Sequence, residues 1–319
     1  MDEVFARRDL IDAAELRRLC APSDRAGFVQ LGGHVAVIAL AVLALHATLG
    51  TIWAVPPFLI LGVAINFLYA GQHELSHWTV FRTRWLNEWV GRAFGFVGFF
   101  PRTFDQIQHG AHHRWTQEWA RDGELVRPRY TRTSYLLWLL GPTYWYSRIR
   151  RILRFAAGVV SEPYIPANRK AEVIREARWH VAGYALIFVV SVGTGSWAAV
   201  TYWLAPMLLT KVAHQLQNTI EHLGLPHSPN ILENTRSTRT NAVLRFLCWN
   251  MQYHTAHHAF PGVPFHRLPD LHKKLFAERG AAPPTMGYLE FQAAVLRAFR
   301  DGRTEADFPD DRAWIEATS

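Results

Sequence analysis

Histidine spacing is the feature of this sequence most suited to chemistry. Sixteen histidines occur in 319 residues, and eight of them fall in three five-residue boxes: His73-Glu74-Leu75-Ser76-His77, His109-Gly110-Ala111-His112-His113 and His254-Thr255-Ala256-His257-His258. Random placement would put fewer than one histidine in those positions. On an α-helix, residues at i and i+4, or at i, i+3 and i+4, leave from one face and converge. Neutral imidazole is the commonest metal-ligand side chain, so each box reads as a set of convergent ligands. Transition metals of this kind take about four to six ligands, so eight nitrogens point to two ions with some positions open. His222 joins them as a ninth candidate, in Asn218-Thr219-Ile220-Glu221-His222. Asn218, one turn earlier on the same face, could hold a metal-bound water or complete a coordination shell, and Glu221 could orient a histidine from behind. The other histidines, His34, His46, His180, His214, His227, His266 and His272, read as structural or surface residues.

The donor set is rich in nitrogen and has no thiolate nearby. Zinc closes structural sites with four ligands, whereas a two-ion imidazole site with open positions is better suited to binding and reducing dioxygen at iron. Apolar sequence beside the boxes points to a lipid or hydrocarbon substrate, whose C–H bonds need a strong oxidant. One competing reading is a zinc protease, because His73-Glu74-Leu75-Ser76-His77 also satisfies H-E-x-x-H. It needs only one more ligand and leaves the other two boxes without a purpose. A membrane metal carrier or sensor is a second, but it predicts ionisable residues along the spans, and these show almost none beyond His34, His46 and His180.

The segments that must position the boxes are membrane-like. Half of the residues are apolar and 19% charged, yet the 47 residues from Ala26 to Gln72 and the 32 from Trp179 to Thr210 carry no Asp, Glu, Lys or Arg. A membrane helix needs about 20 apolar residues. The expected fold is therefore all-α and integral to a membrane, with four spans in two hairpins near 28–50, 52–71, 173–192 and 197–217. A cytoplasmic helical cap would hold the metal site. Residues 1–27 read as a cytoplasmic N-terminal segment, 28–279 as the catalytic domain and 280–319 as a soluble tail with one amphipathic helix near Tyr288 to Phe299. Ser134 to Ser147 is apolar but short and broken by Gly141-Pro142, as in an interfacial or re-entrant piece. Both hairpin turns lack basic residues, while the N-terminal segment and the stretch from Arg82 to Arg178 are rich in arginine, which places both termini and all three boxes on the cytoplasmic side.

The net charge of +8 fits a face beside anionic headgroups, and nothing resembles a nucleic-acid recognition module. Two cysteines, Cys20 and Cys248, exclude a disulfide framework or an iron–sulfur site. Met1 to Arg25 is polar and charged, unlike a cleavable signal peptide. Of the residues around the boxes, Trp78, Trp115, Trp119, Trp249, Tyr253 and Phe260 read first as interfacial aromatics. Arg114, Arg121 and Asp122 read as a solvated charged face in preference to a site for a substrate headgroup or donor protein.

The three boxes in order, together with WNMQYHTAHHAFPGVPFHRLP from Trp249 to Pro269 and ENTRSTRTNAVLRF from Glu233 to Phe246, resemble the membrane-bound fatty acid desaturase family, the histidine-box non-haem di-iron desaturases and hydroxylases. The resemblance covers about Phe28 to Leu275. It implies that His73, His77, His109, His112, His113, His254, His257 and His258 are iron ligands, that His222 is the extra histidine before the third box, and that Asn218 supports a metal-bound water. It further implies two ferrous ions, dioxygen as co-substrate and a lipid or acyl-chain substrate. No fused His-Pro-Gly-Gly cytochrome b5 segment occurs, so a separate electron donor of ferredoxin, rubredoxin or cytochrome b5 type is expected. Desaturation is the expected outcome, with hydroxylation by the same ligand set as the alternative.

Overall fold

The computed structural model describes residues 10–125, 127–307 and 312–315, and these are mostly helical. Helix α1 (Ala13–Leu19) precedes α2 (Asp24–Thr48), which Ser23 caps by accepting the Ala26 N–H. A turn through Gly50 (φ +80°) and a 3-10 turn at Ile52–Ala54 leads into α3 (Val55–Ser76). Pro56 and Pro57 sit in its first turn, where a missing N–H costs no helical bond. The segments Asp24–Thr48 and Ile52–Ser76 are each long and apolar enough to cross a membrane. The second runs past the expected end at Gly71 and so carries His73 within the helix.

Helices α4 (Arg84–Val97) and α5 (Arg102–Arg114) follow, then α6 (Arg132–Leu139) and α7 (Pro142–Ala156). The last two are separated at Gly141, whose φ of +101° breaks the apolar stretch as its Gly-Pro pair implies. Helix α8 (Lys170–Thr194) starts with a charged turn, and beyond Trp179 it leaves Leu186, Phe188, Val189 and Val192 exposed.

An unbroken helix over 197–217 is expected from hydropathy, and here the structure differs. A π-helical turn at Val200–Leu204 leads into α9 (Ala205–Leu209), and the chain breaks again at Thr210 before α10 (Lys211–His222). Pro206 explains the first irregularity, because it has no N–H to give the preceding turn. Asn66 of α3 repairs the second: its amide donates to the Met207 carbonyl at 2.8 Å and to Thr210 Oγ1 at 3.1 Å. Gly62 makes that approach possible, since a Cβ there would lie 2.2 Å from the Pro206 carbonyl oxygen. Gly62→Ala is expected to destabilise the protein by ~1–3 kcal/mol. A lowered melting temperature of the detergent-solubilised protein would show it, and an unchanged one would contradict this packing.

After α10 the chain forms α11 (Ile231–Asn234), β1 (Ser237–Arg239), α12 (Ala242–Leu247), α13 (His254–Ala259), α14 (Leu268–Leu275), β2 (Thr285–Gly287) and α15 (Tyr288–Arg300). Strands β1 and β2 pair in parallel, Ser237 opposite Thr285. Residues 285–300 therefore pack into the body of the molecule, where Phe291, Val295 and Phe299 of α15 meet Tyr135 and Ile220. Leu19 of α1 likewise packs with Ala256, Leu268 and Leu271. These two clusters brace α10 and α13, the elements that carry His222 and the third box.

Candidate metal centre

Four helix ends bring the nine histidines together. His73 lies in the last turn of α3 and His77 caps it, His109, His112 and His113 lie towards the end of α5, His222 closes α10, and His254, His257 and His258 ride on α13. His73, His77, His109, His113 and His257 each offer a nitrogen within 4.8 Å of one another, and so, as a second group, do His112, His222, His254 and His258. The groups adjoin, with the His113 and His258 rings stacked 4.1 Å apart. None of the seven histidines read as structural or surface residues enters either group.

Within the first group Nε2 atoms face one another at 2.9 Å (His77–His109), 2.8 Å (His109–His113) and 3.1 Å (His113–His257). In the second the spacings are 3.1 Å (His112–His222) and 2.8 Å (His222–His254). Two nitrogens held ~2.1 Å from a shared ion at right angles lie ~3 Å apart. The opposite ring nitrogens sharpen this fit. His112 Nδ1 sits 2.9 Å from both oxygens of Asp122, and His222 Nδ1 is 3.3 Å from the Asn234 carbonyl. Both Nδ1 atoms thus donate, which leaves the Nε2 of His222 as a bare lone pair turned on that of His112. His258 Nε2 and both nitrogens of His73 are buried without a hydrogen-bond partner. Cations placed between these rings would satisfy His258 Nε2 and one nitrogen of His73, so the residues fit two metal ions.

Burial and crowding set the charge. It is burial first, then neighbouring imidazoles, that holds His109, His113, His254, His257 and His258 well below the ordinary histidine range, and burial takes His222 to about 3. For His112 burial pulls downward too, but the carboxylates of Asp122 and Glu124 outweigh it and lift the group to about 9. A neutral ring is what ligation requires, and a metal ion would take the place of the proton on His112.

A ring of carboxylates stands behind the imidazoles. Glu74 Oε1 lies 3.4 Å from His257 Nδ1 and 3.6 Å from His73 Nδ1, Glu124 lies 3.2 Å from His109 Nδ1, and Glu221 lies 3.5 Å from His254 Nδ1. Glu74 thus backs ligand candidates instead of facing an open position, which is unlike the water-activating glutamate of H-E-x-x-H. Asn218 is half-buried one turn before His222.

Asp122 corrects the reading of a solvated face. It is 1% exposed, and besides His112 it accepts the Gln117 and Glu124 N–H groups at 2.9 and 2.8 Å. Gln117, held at φ +67°, also donates its side-chain amide to the His222 carbonyl at 2.7 Å. Thr116, whose Oγ1 lies 3.3 Å from His258 Nδ1, and Gln117 carry no motif that would have exposed these roles, because the contacts cross between loop and helix. Among the aromatics, Trp249 belongs to the core, while Trp78 and Trp115 line an open cleft.

Comparison with known proteins agrees with this geometry. A sequence model described as fatty acid desaturase matches residues 50–289. The chain is similar to an sn-1 oleoyl-lipid 12-desaturase of Arthrospira platensis, 22% identical in an alignment of 228 residues that covers 65% of this chain and 64% of the relative. It is also similar to a Delta(5) fatty acid desaturase of Caenorhabditis elegans, 25% identical over 67% of this chain and 55% of the relative. An sn-1 oleoyl-lipid 12-desaturase of Picosynechococcus is 22% identical over 67% and 66%. The chain thus aligns with less than two thirds of the length of each of these relatives.

Proposed function

Since the chain belongs to the fatty acid desaturase family, we propose that it oxidises the aliphatic chain of a fatty acyl lipid with dioxygen and two external electrons, at two iron ions held by nine histidines. The observation that carries this reading is the pair of adjoining groups of buried imidazoles with their nitrogens turned on one another. His73, His77, His109, His113 and His257 would hold one ion, and His112, His222, His254 and His258 the other. The ions supply the reduction of dioxygen and the removal of hydrogen from carbon. The protein's own residues orient the ligands: Asp122 and Glu124 fix the rotation and tautomer of His112 and His109 from the Nδ1 side, while Glu74 and Glu221 stand behind His73, His257 and His254. Asn218 would hold a metal-bound water beside His222.

Loss of a second hydrogen gives an alkene, and the relatives named as oleoyl-lipid and fatty acid desaturases favour that product. Delivery of oxygen to the carbon instead would give an alcohol from the same ligand set. The lipid setting is supported by the apolar hairpin of α2 and α3 and by the exposed apolar side of α8. With the irregular α9–α10 run as a fourth crossing, the nine histidines lie on one side, and the arginine-rich segments make that side cytoplasmic. Electrons would come from a separate ferredoxin, rubredoxin or cytochrome b5 type carrier.

Expression of the full chain followed by lipid mass spectrometry tests the reading. Acyl chains lighter by two hydrogens are expected, with about two irons per purified chain. An added oxygen would establish the hydroxylase instead, and unchanged lipids with one bound zinc would defeat the proposal.

A further inference from the structure

Helix α15 presents two polar side chains, Tyr288 and Gln292, one turn apart on the same face, to α10. Gln292 is a brace: it accepts the Tyr135 hydroxyl at 2.6 Å and donates to Thr219 Oγ1 at 3.0 Å. Tyr288 makes a different contact. Its hydroxyl donates to Gln217 Oε1, and the Cys248 thiol points to the same oxygen at 3.6 Å. With both donors on Oε1, the Gln217 amide nitrogen is turned the other way, where it donates to Glu221 Oε1 at 2.5 Å. That carboxylate oxygen stands 3.5 Å from His254 Nδ1, whose other neighbour is the weakly accepting Met251 thioether at 3.4 Å. Gln217 and Glu221 are both buried, so water has little access to these contacts. Three side chains thus lead from the half-buried Tyr288 to a ring of the four-histidine group.

We propose that Tyr288 and Gln217 are positioning residues for the ion of the four-histidine group, together holding the Glu221 carboxylate against His254 Nδ1. This rests on the two-ion reading. An amide carries its carbonyl and its NH2 on opposite arms, and only the NH2 attracts a carboxylate. Gln217 turned over would set its own oxygen against Glu221 and push the carboxylate away from His254. The Tyr288 hydroxyl opposes that turn by donating to Oε1. Glu221 held in place gives His254 Nδ1–H a charged acceptor, which orients the ring and raises the basicity of Nε2 towards an ion. Neither Tyr288 nor Gln217 belongs to the imidazole groups, and both act through Glu221. The helix that reads as part of a soluble tail then serves the metal site.

Titration of the full, metal-free chain in detergent with cobalt(II) tests this. The wild-type protein is expected to bind two ions. Tyr288→Phe, which removes a single oxygen, is expected to weaken one of them ~3- to 10-fold and to alter its visible absorption, while the other ion is unaffected. Gln292→Leu removes the neighbouring brace. It is expected to lower the melting temperature at least as far as Tyr288→Phe does, with both cobalt affinities intact. In a Gln217→Leu background, Tyr288→Phe is expected to add no further loss of cobalt. Cobalt binding unchanged in Tyr288→Phe, equal weakening in Gln292→Leu, or full additivity of the Tyr288 and Gln217 changes would overturn the proposal and leave Tyr288 as packing alone. A wild-type protein that binds fewer than two cobalt ions would instead bring down the two-ion reading, and the positioning role with it.

Discussion

Replacing His222 with alanine is expected to abolish lipid oxidation and to lower bound metal by about one ion per chain. His222 is the hinge of its group: its Nε2 lies 3.1 Å from that of His112 and 2.8 Å from that of His254. Without it three imidazoles remain and the ion loses one of its four ligands, which weakens the hold on it. His257→Ala is expected to do the same to the other group, while His266→Asn, outside both groups, should keep full metal and activity. The comparison is informative because His222 belongs to no histidine box. Full iron content and turnover in His222→Ala would show that the box histidines suffice and that His222 is not a ligand.

A second large effect is expected from Asp122→Asn, which preserves shape and removes charge. The carboxylate accepts from His112 Nδ1 and from two backbone N–H groups, so an amide must turn its NH2 towards a donor. A buried donor left unsatisfied costs ~1–3 kcal/mol. His112 would also lose the acceptor that fixes its tautomer, and losses of this kind cost ~10- to 100-fold in metal affinity or activity. Titration of the metal-free protein with ferrous iron, followed by turnover, should show weakened binding to one of the two ions. Equal affinity in the variant would mean that Asp122 only braces the loop.

Both predictions start from residues that differ in how openly the sequence displays them. The three boxes are visible because helical spacing alone aims i, i+3 and i+4 at one point, and two of the four expected spans, α2 and α3, follow from uninterrupted apolar runs. His222 was within reach through its place after the last apolar run. Asp122 was not: it lies ten residues beyond His112, in a charged loop that looks solvated until the loop folds back on α5. The break between α9 and α10 was hidden for a similar reason. Hydropathy counts apolar residues and is blind to the carbonyls that Pro206 frees and Asn66 caps.

Local spacing and hydrophobic runs thus determined which histidines belong to the candidate site and that α2 and α3 are apolar enough to cross a membrane, because both are properties of neighbouring residues on one helix. How nine rings divide into five and four, and which carboxylates stand behind them, were decided by the tertiary structure. Those relations join residues up to 185 positions apart, from His73 to His258, and only the packing of helix ends sets such distances.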